Sequence, residues 1–133
     1  FGFHSFPDDP QWKGWWGDEP PFGVPVFVLT HRQLESIPMQ GGTIFHFLSA
    51  SPADVLEKAT AVAGDQDVRI GGGASTVREF LRAGLVDDLH VAVVPIILGR
   101  GIRLWDDLRG IENGARVSAV AAPSGVTHIT FNR

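Results

Sequence analysis

Apolar residues in this chain fall in short blocks whose period changes along the sequence, and those periods predict strands alternating with helices. Residues 24–30 are rich in β-branched and aromatic residues, bounded by Pro25 at the start and by the polar run His31-Arg32-Gln33 at the end, the signature of a buried strand. A second strand is predicted over residues 43–48, after the Gly41-Gly42 turn. From Ser51 the period becomes helical. Ser51 is a candidate N-cap, and Pro52 takes the first position, where a missing N–H costs nothing. Val55, Leu56, Ala59, Val62 and Ala63 then fall near one face before Gly64. A short strand over residues 67–70 leads through Gly71-Gly72-Gly73 into a helix over 74–83, with Val77, Phe80 and Leu81 as its apolar face and Gly84 as its stop. Residues 86–95 predict a long strand, apolar on both faces in its second half as a central strand is. After a glycine-containing loop over 96–110, strands over 115–122 and 125–132 form a hairpin turning at Pro123-Ser124-Gly125.

This order predicts an α/β fold in which the middle strands pair in parallel and the C-terminal hairpin is antiparallel, so that the sheet is mixed. With 133 residues the chain is expected to be a single domain over 1–133, in which any cofactor and substrate share one cleft. The balance of 44% apolar and 20% charged residues predicts a packed fold. A net charge of -4 with scattered basic residues argues against nucleic acid as a partner. Cysteine is absent, which removes thiolate metal sites and cysteine nucleophiles and fits a cytoplasmic protein. The longest apolar runs are far too short to span a bilayer, so no membrane span is expected.

The candidate chemistry centres on the triple glycine. A helix N-terminus presents unpaired N–H groups and a partial positive charge, and glycines let a phosphate approach the backbone with no Cβ in the way. Ser75 and Thr76 add hydroxyls in the first turn. The competing reading is a tight turn that needs glycine only for its dihedral angles. The spacing is neither G-x-G-x-x-G nor a P-loop, since no lysine follows. Trp12, Trp15, Trp16 and Phe22 lie in an irregular segment, where they either wall a planar ligand or pack onto the sheet. Arg100, between Gly99 and Gly101, either meets an anion or is an exposed turn residue. The histidines at 4, 31, 46, 90 and 128 show no metal-ligand spacing, so no metal is expected. The carboxylate pairs, Asp87-Asp88 and Asp106-Asp107 among them, read as solvated or capping groups, so no catalytic residue is assigned.

Three linked stretches carry a family resemblance: Val68-Arg-Ile-Gly-Gly-Gly-Ala-Ser-Thr, Phe80-Leu-Arg-Ala-Gly-Leu-Val-Asp-Asp-Leu-His and Val94-Pro-Ile-Ile-Leu-Gly-Arg-Gly. With Trp15-Trp-Gly-Asp and Val26-Phe-Val-Leu-Thr-His upstream, the chain over residues 12–108 resembles the dihydrofolate reductase-like family that includes the C-terminal reductase domain of the bacterial riboflavin-biosynthesis deaminase/reductase. The resemblance implies a single-domain, three-layer α/β/α fold with a mixed, mainly parallel sheet and an antiparallel C-terminal hairpin. It implies NADPH as cofactor, held at its phosphates by Gly71, Gly72, Gly73, Ala74, Ser75 and Thr76, with Thr30 and His31 on the 2′-phosphate side. Trp16, Gly99 and Arg100 would face a small heterocyclic substrate of pterin, folate or ribosylaminopyrimidine type, in a homodimer. Family members carry a further N-terminal strand and helix that are not found here, so the chain is expected to be N-terminally incomplete. The alternative is a non-catalytic nucleotide-binding or dimeric interaction protein that retains the fold.

Overall fold

The strand predicted over residues 24–30 forms as β1 (Pro25–Leu29), and its neighbour forms as β3 (Ile44–Leu48), the two pairing in parallel from Pro25–Ile44 to Leu29–Leu48. Between them the chain adds two pieces the sequence pattern did not show, β2 (Ile37–Pro38) and a 3-10 turn at Gln40–Gly42. β2 pairs antiparallel with the other edge of β3. The structure, a computed structural model, describes residues 16–133, and the chain divides into two compact units, one ending at Asp67 and the other beginning at Val68.

In the first unit the period-2 pattern of β3 decides the core. Phe45 is fully buried and Phe47 nearly so, while Ile44, His46 and Leu48 on the opposite face are half-buried. Helix α1 (Pro52–Ala63) packs against β1 and buries Val55 and Ala59. The buried stripe stops there: Val62, expected on the same face, is exposed. Thr43, also fully buried, is satisfied by the loop before β1. Its hydroxyl accepts the Gly23 N–H at 2.9 Å and donates to the Pro20 carbonyl at 3.3 Å, which ties that loop to the start of β3.

The start of α1 is closed by its own side chains. The Asp54 N–H donates to Ser51 Oγ at 3.3 Å, while the Asp54 carboxylate accepts the Ser51 N–H at 3.3 Å and the hydroxyl at 2.7 Å. The hydroxyl bond first, then the backbone bond and Lys58, hold the Asp54 carboxyl below its ordinary value of 3.8. A depressed folded-state pKa adds stability that is present above the unfolded value and is lost as the pH falls through the folded one. Ser51→Ala removes the N-cap side chain and is expected to destabilise the protein by about 1 kcal/mol near neutrality, the usual worth of such a cap. It should also flatten the loss of stability below pH 3.8, both read from urea melts across pH.

The second unit contains α2 (Ala74–Arg82) and an antiparallel sheet of β4 (Asp88–Val93), β5 (Arg116–Ala121) and β6 (Thr127–Asn132) in the order β4-β6-β5. The C-terminal hairpin forms as predicted. Its registers place Asp88, His90, Arg116, Ser118, His128, Thr130 and Asn132 on one face and Leu89, Val91, Val117, Ala119, Ile129 and Phe131 on the other. On the polar face the Asn132 amide donates to Asp88, and His90 Nε2 lies 2.9 Å from His128 Nδ1 with the rings within 12° of parallel.

Two expectations need correction. Residues 67–70 join no ladder among the described residues, although Val68 and Ile70 are half-buried and Arg69 is exposed, as in a half-buried strand. Without that parallel neighbour β4 has a single partner among the described residues, β6. Among those residues it is an edge strand of its sheet, not the central strand that its apolar second half predicted, and Val93 is left half-exposed. The described ladders accordingly form two three-stranded sheets in which only β1 and β3 are parallel. The architecture is mixed α/β with two helices. No helix among the described residues is long and apolar enough to cross a membrane.

Candidate functional site

The two helix starts are finished in opposite ways. Where α1 is capped by Ser51 and Asp54, α2 has Gly73 at its N-cap, which makes no side-chain cap. The first bond of the helix runs from the Val77 N–H to the Gly73 carbonyl at 3.2 Å. The amides of Ala74, Ser75 and Thr76 therefore have no partner among the described residues, and the hydroxyls of Ser75 and Thr76 stand beside them. Unpaired donors and the positive end of the helix dipole are the groups with which a helix start can receive an anion.

The glycines before it answer the question the sequence left open. None of Gly71, Gly72 and Gly73 has a φ in the left-handed region, and Gly73 sits at φ −69 and ψ 164, which any residue adopts. Packing does not require them either. A Cβ on Gly71 or Gly73 would meet nothing within 4 Å, and one on Gly72 would make ordinary contact with Thr76 at 3.6 Å. Gly99 and Gly101 differ, with φ of 69 and 152, values that side-chain-bearing residues rarely take. The triple glycine thus leaves open a space that the conformation and packing of the described residues do not use, next to donors without a partner among them.

The other candidates are distributed over both units. Gly71, Gly72, Gly73 and Ser75 are exposed and Ala74 and Thr76 half-buried, all contiguous at the start of α2. Thr30 ends the β1 ladder in the first unit: its N–H donates to the Leu48 carbonyl at 2.9 Å, and its hydroxyl accepts the Arg32 N–H at 3.2 Å. That local turn leaves His31 exposed at the C-terminal end of β1, beside a parallel neighbour. Trp16, in the same unit, is half-exposed and packs edge-on against Phe22, with ring centroids 4.9 Å apart. Trp12 and Trp15 lie outside the described residues. In the second unit Arg100 is exposed between its two glycines and makes no hydrogen bond or ion pair within the described residues.

Two groupings were not legible from spacing. Ser36 Oγ lies 2.9 Å from His46 Nδ1, and the His46 ring stacks on Phe27, its register partner across β1 and β3. On α2, Arg78 and Arg82 reach the Asp106-Asp107 turn. Their i, i+4 spacing was the one available signal, and nothing in the sequence named the partner. A hollow lined by Leu81, Val86, Leu89, Ile111 and Phe131 lies at the C-terminal end of α2, the far end from Gly73, and so stands apart from the glycine turn. No group of three or more metal-ligating side chains occurs among the described residues.

A strand end, a glycine turn with an uncapped helix and a C-terminal antiparallel hairpin, in this order, have a counterpart among known proteins. Residues 6–120 match the model of the RibD C-terminal domain family, and the chain belongs to that family. YyaP of Bacillus subtilis (strain 168), an uncharacterized protein, is 33% identical over 67 residues, which are 50% of this chain and 36% of YyaP. YwjB of the same organism, likewise uncharacterized, is 36% identical over 42 residues, 32% of this chain and 24% of YwjB. The chain thus spans about a third of one curated relative and a quarter of the other. A solved structure from Shewanella sp. PV-4, named for riboflavin biosynthesis, aligns with a TM-score of 0.61 at 22% identity, covering 89% of this chain and 65% of its own. The shared fold is what that likeness shows.

Proposed function

We propose that this protein is an NADPH-dependent reductase of a small heterocyclic substrate of pterin, folate or ribosylaminopyrimidine type. The observation that carries the reading is the open glycine turn: three consecutive glycines that neither dihedrals nor packing require, before a helix whose first amides have no partner. Membership of the RibD C-terminal domain family supports it. The reading includes a single domain over 1–133 of three-layer α/β/α type, working as a homodimer in the cytoplasm.

In this reading the amides of Ala74, Ser75 and Thr76 and the two hydroxyls bind the cofactor pyrophosphate, while Gly71, Gly72 and Gly73 admit it to the backbone. Thr30 and His31 receive the 2′-phosphate, which favours NADPH over NADH. Trp16 offers a flat face to a planar ring, and Gly99 and Arg100 meet the substrate. The cofactor, when bound, supplies the hydride. What the chain contributes is orientation and exclusion of water, and Ile96, Ile97 and Leu98, all exposed, are the apolar groups available for the second task.

Equilibrium titration of the full-length protein tests the reading. NADPH is expected to bind saturably and to raise the melting temperature by several degrees, since ligand at 100 times its Kd adds about 2.7 kcal/mol. NADH should bind more weakly. Absence of any fluorescence change or thermal shift at about 1 mM NADPH, where even weak specific binding registers, rejects the proposal.

A further inference from the structure

The segment after β4 is held at its two ends and bare between them. Ile96, Ile97, Leu98 and Ile102 are each at least 64% exposed, whereas Leu104 and Leu108 are half-buried. The change occurs at one turn. There the Leu108 N–H donates to the Trp105 carbonyl at 3.1 Å, and Trp105 meets the Phe131 ring of β6 edge-on at 6.2 Å.

Helix α2 grips the same turn. Arg78 Nη1 lies 3.5 Å from the Asp106 carboxylate, Arg82 Nη2 donates to the Asp106 carbonyl at 3.3 Å, and the same nitrogen lies 3.9 Å from the Asp107 carboxylate. Two costs are concentrated here. Asp107 takes a φ of 58, the one left-handed non-glycine backbone among the described residues, and Arg78 Nε is buried with no partner. Such features persist where the surroundings over-determine a conformation. Surface ion pairs of this length add little to stability, so their consequence is placement of the turn.

We propose that Arg78 and Arg82 are positioning residues: α2, whose N-terminus receives the cofactor phosphates, also anchors the far end of the Gly99-Arg100-Gly101 segment that meets the substrate. This rests on the reductase reading for the roles of the two ends. The clamp itself is tested without it.

The test is limited trypsin digestion of the full chain, with cleavage after Arg100 and Arg103 followed by mass spectrometry against cleavage after Lys58 within α1. Asp106→Ala and Arg82→Ala are each expected to speed cleavage at Arg100 and Arg103 about fivefold, the opening that loss of one such anchor allows. Lys58 should stay protected, and Asp106→Glu should restore the native rate, which a general packing defect would not. Native cleavage rates in both alanine variants, or parallel acceleration at Lys58, overturn the clamp. NADPH titration of the same variants separates the two proposals. An unchanged Kd is expected because the clamp lies at the other end of α2, and failure of NADPH to bind any variant or the native chain defeats the cofactor reading while the digestion result still decides the clamp.

Discussion

Alanine in place of Gly73 is expected to hold or raise the stability of the protein, by up to about 1 kcal/mol, while weakening NADPH binding by about ten- to a hundredfold. The two effects have opposite sign because they arise in different places. At φ −69 and ψ 164 with nothing within 4 Å of the added methyl, the folded chain accepts alanine without strain, and the unfolded chain loses conformational freedom. The methyl would instead occupy the space through which a phosphate reaches the amides of Ala74 to Thr76. Gly99→Ala is the internal contrast: at φ 69 it strains the backbone and should lower the melting temperature. Thermal melts and cofactor titration of both variants read the prediction. Native NADPH affinity in Gly73→Ala would show that the glycine does not serve close approach, and a lowered melting temperature would return it to a purely structural role.

That contrast explains why the turn was only partly legible in sequence. A triple glycine between a predicted strand and a predicted helix is compatible with phosphate binding and with an awkward turn alike, and only the dihedrals and the surroundings of each Cα separate them. Thr30 and His31 were visible as the polar stop of a β-branched run. The hydroxyl bond to the Arg32 N–H that shapes their turn was not, because hydrogen bonding two residues along leaves no periodic signal. The Asp106-Asp107 pair shows the opposite failure: it read as solvated carboxylates, and its partners are 28 and 24 residues away along the chain on α2.

At the level of the fold, helices α1 and α2 and the C-terminal hairpin stood out because caps, glycine stops and turn residues mark both ends of each. The pairing of strands was less legible. Residues 67–70 alternate charged and apolar side chains and residues 86–95 end in an apolar run, yet such patterns report which residues prefer burial and not which strand lies beside them. β2 escaped notice because two residues, one of them proline, contain no period.

Phe45→Ala is expected to destabilise the protein by about 3–5 kcal/mol, the cost of removing a fully buried aromatic side chain together with the cavity it leaves. Phe45 has no exposed surface and lies on the central strand of its sheet, in register with Val26 on β1 and Ile37 on β2, so no edge can close in cheaply around the gap. Few side chains in the first unit are comparably buried: Phe47, Val55, Ala59 and Pro20 are the other apolar ones among the described residues, and a small core has little to spare from a total stability of about 5–15 kcal/mol. The loss should reach the proposed cofactor contacts of this unit, because the Thr30 N–H is held by the Leu48 carbonyl at the end of the same strand. Urea melts monitored by tryptophan fluorescence and far-UV circular dichroism measure the effect, with Phe45→Leu as the comparison, expected to cost about 1–2 kcal/mol because it keeps most of the buried volume. A loss below about 1 kcal/mol for Phe45→Ala would mean that β3 is not the strand on which this unit is built.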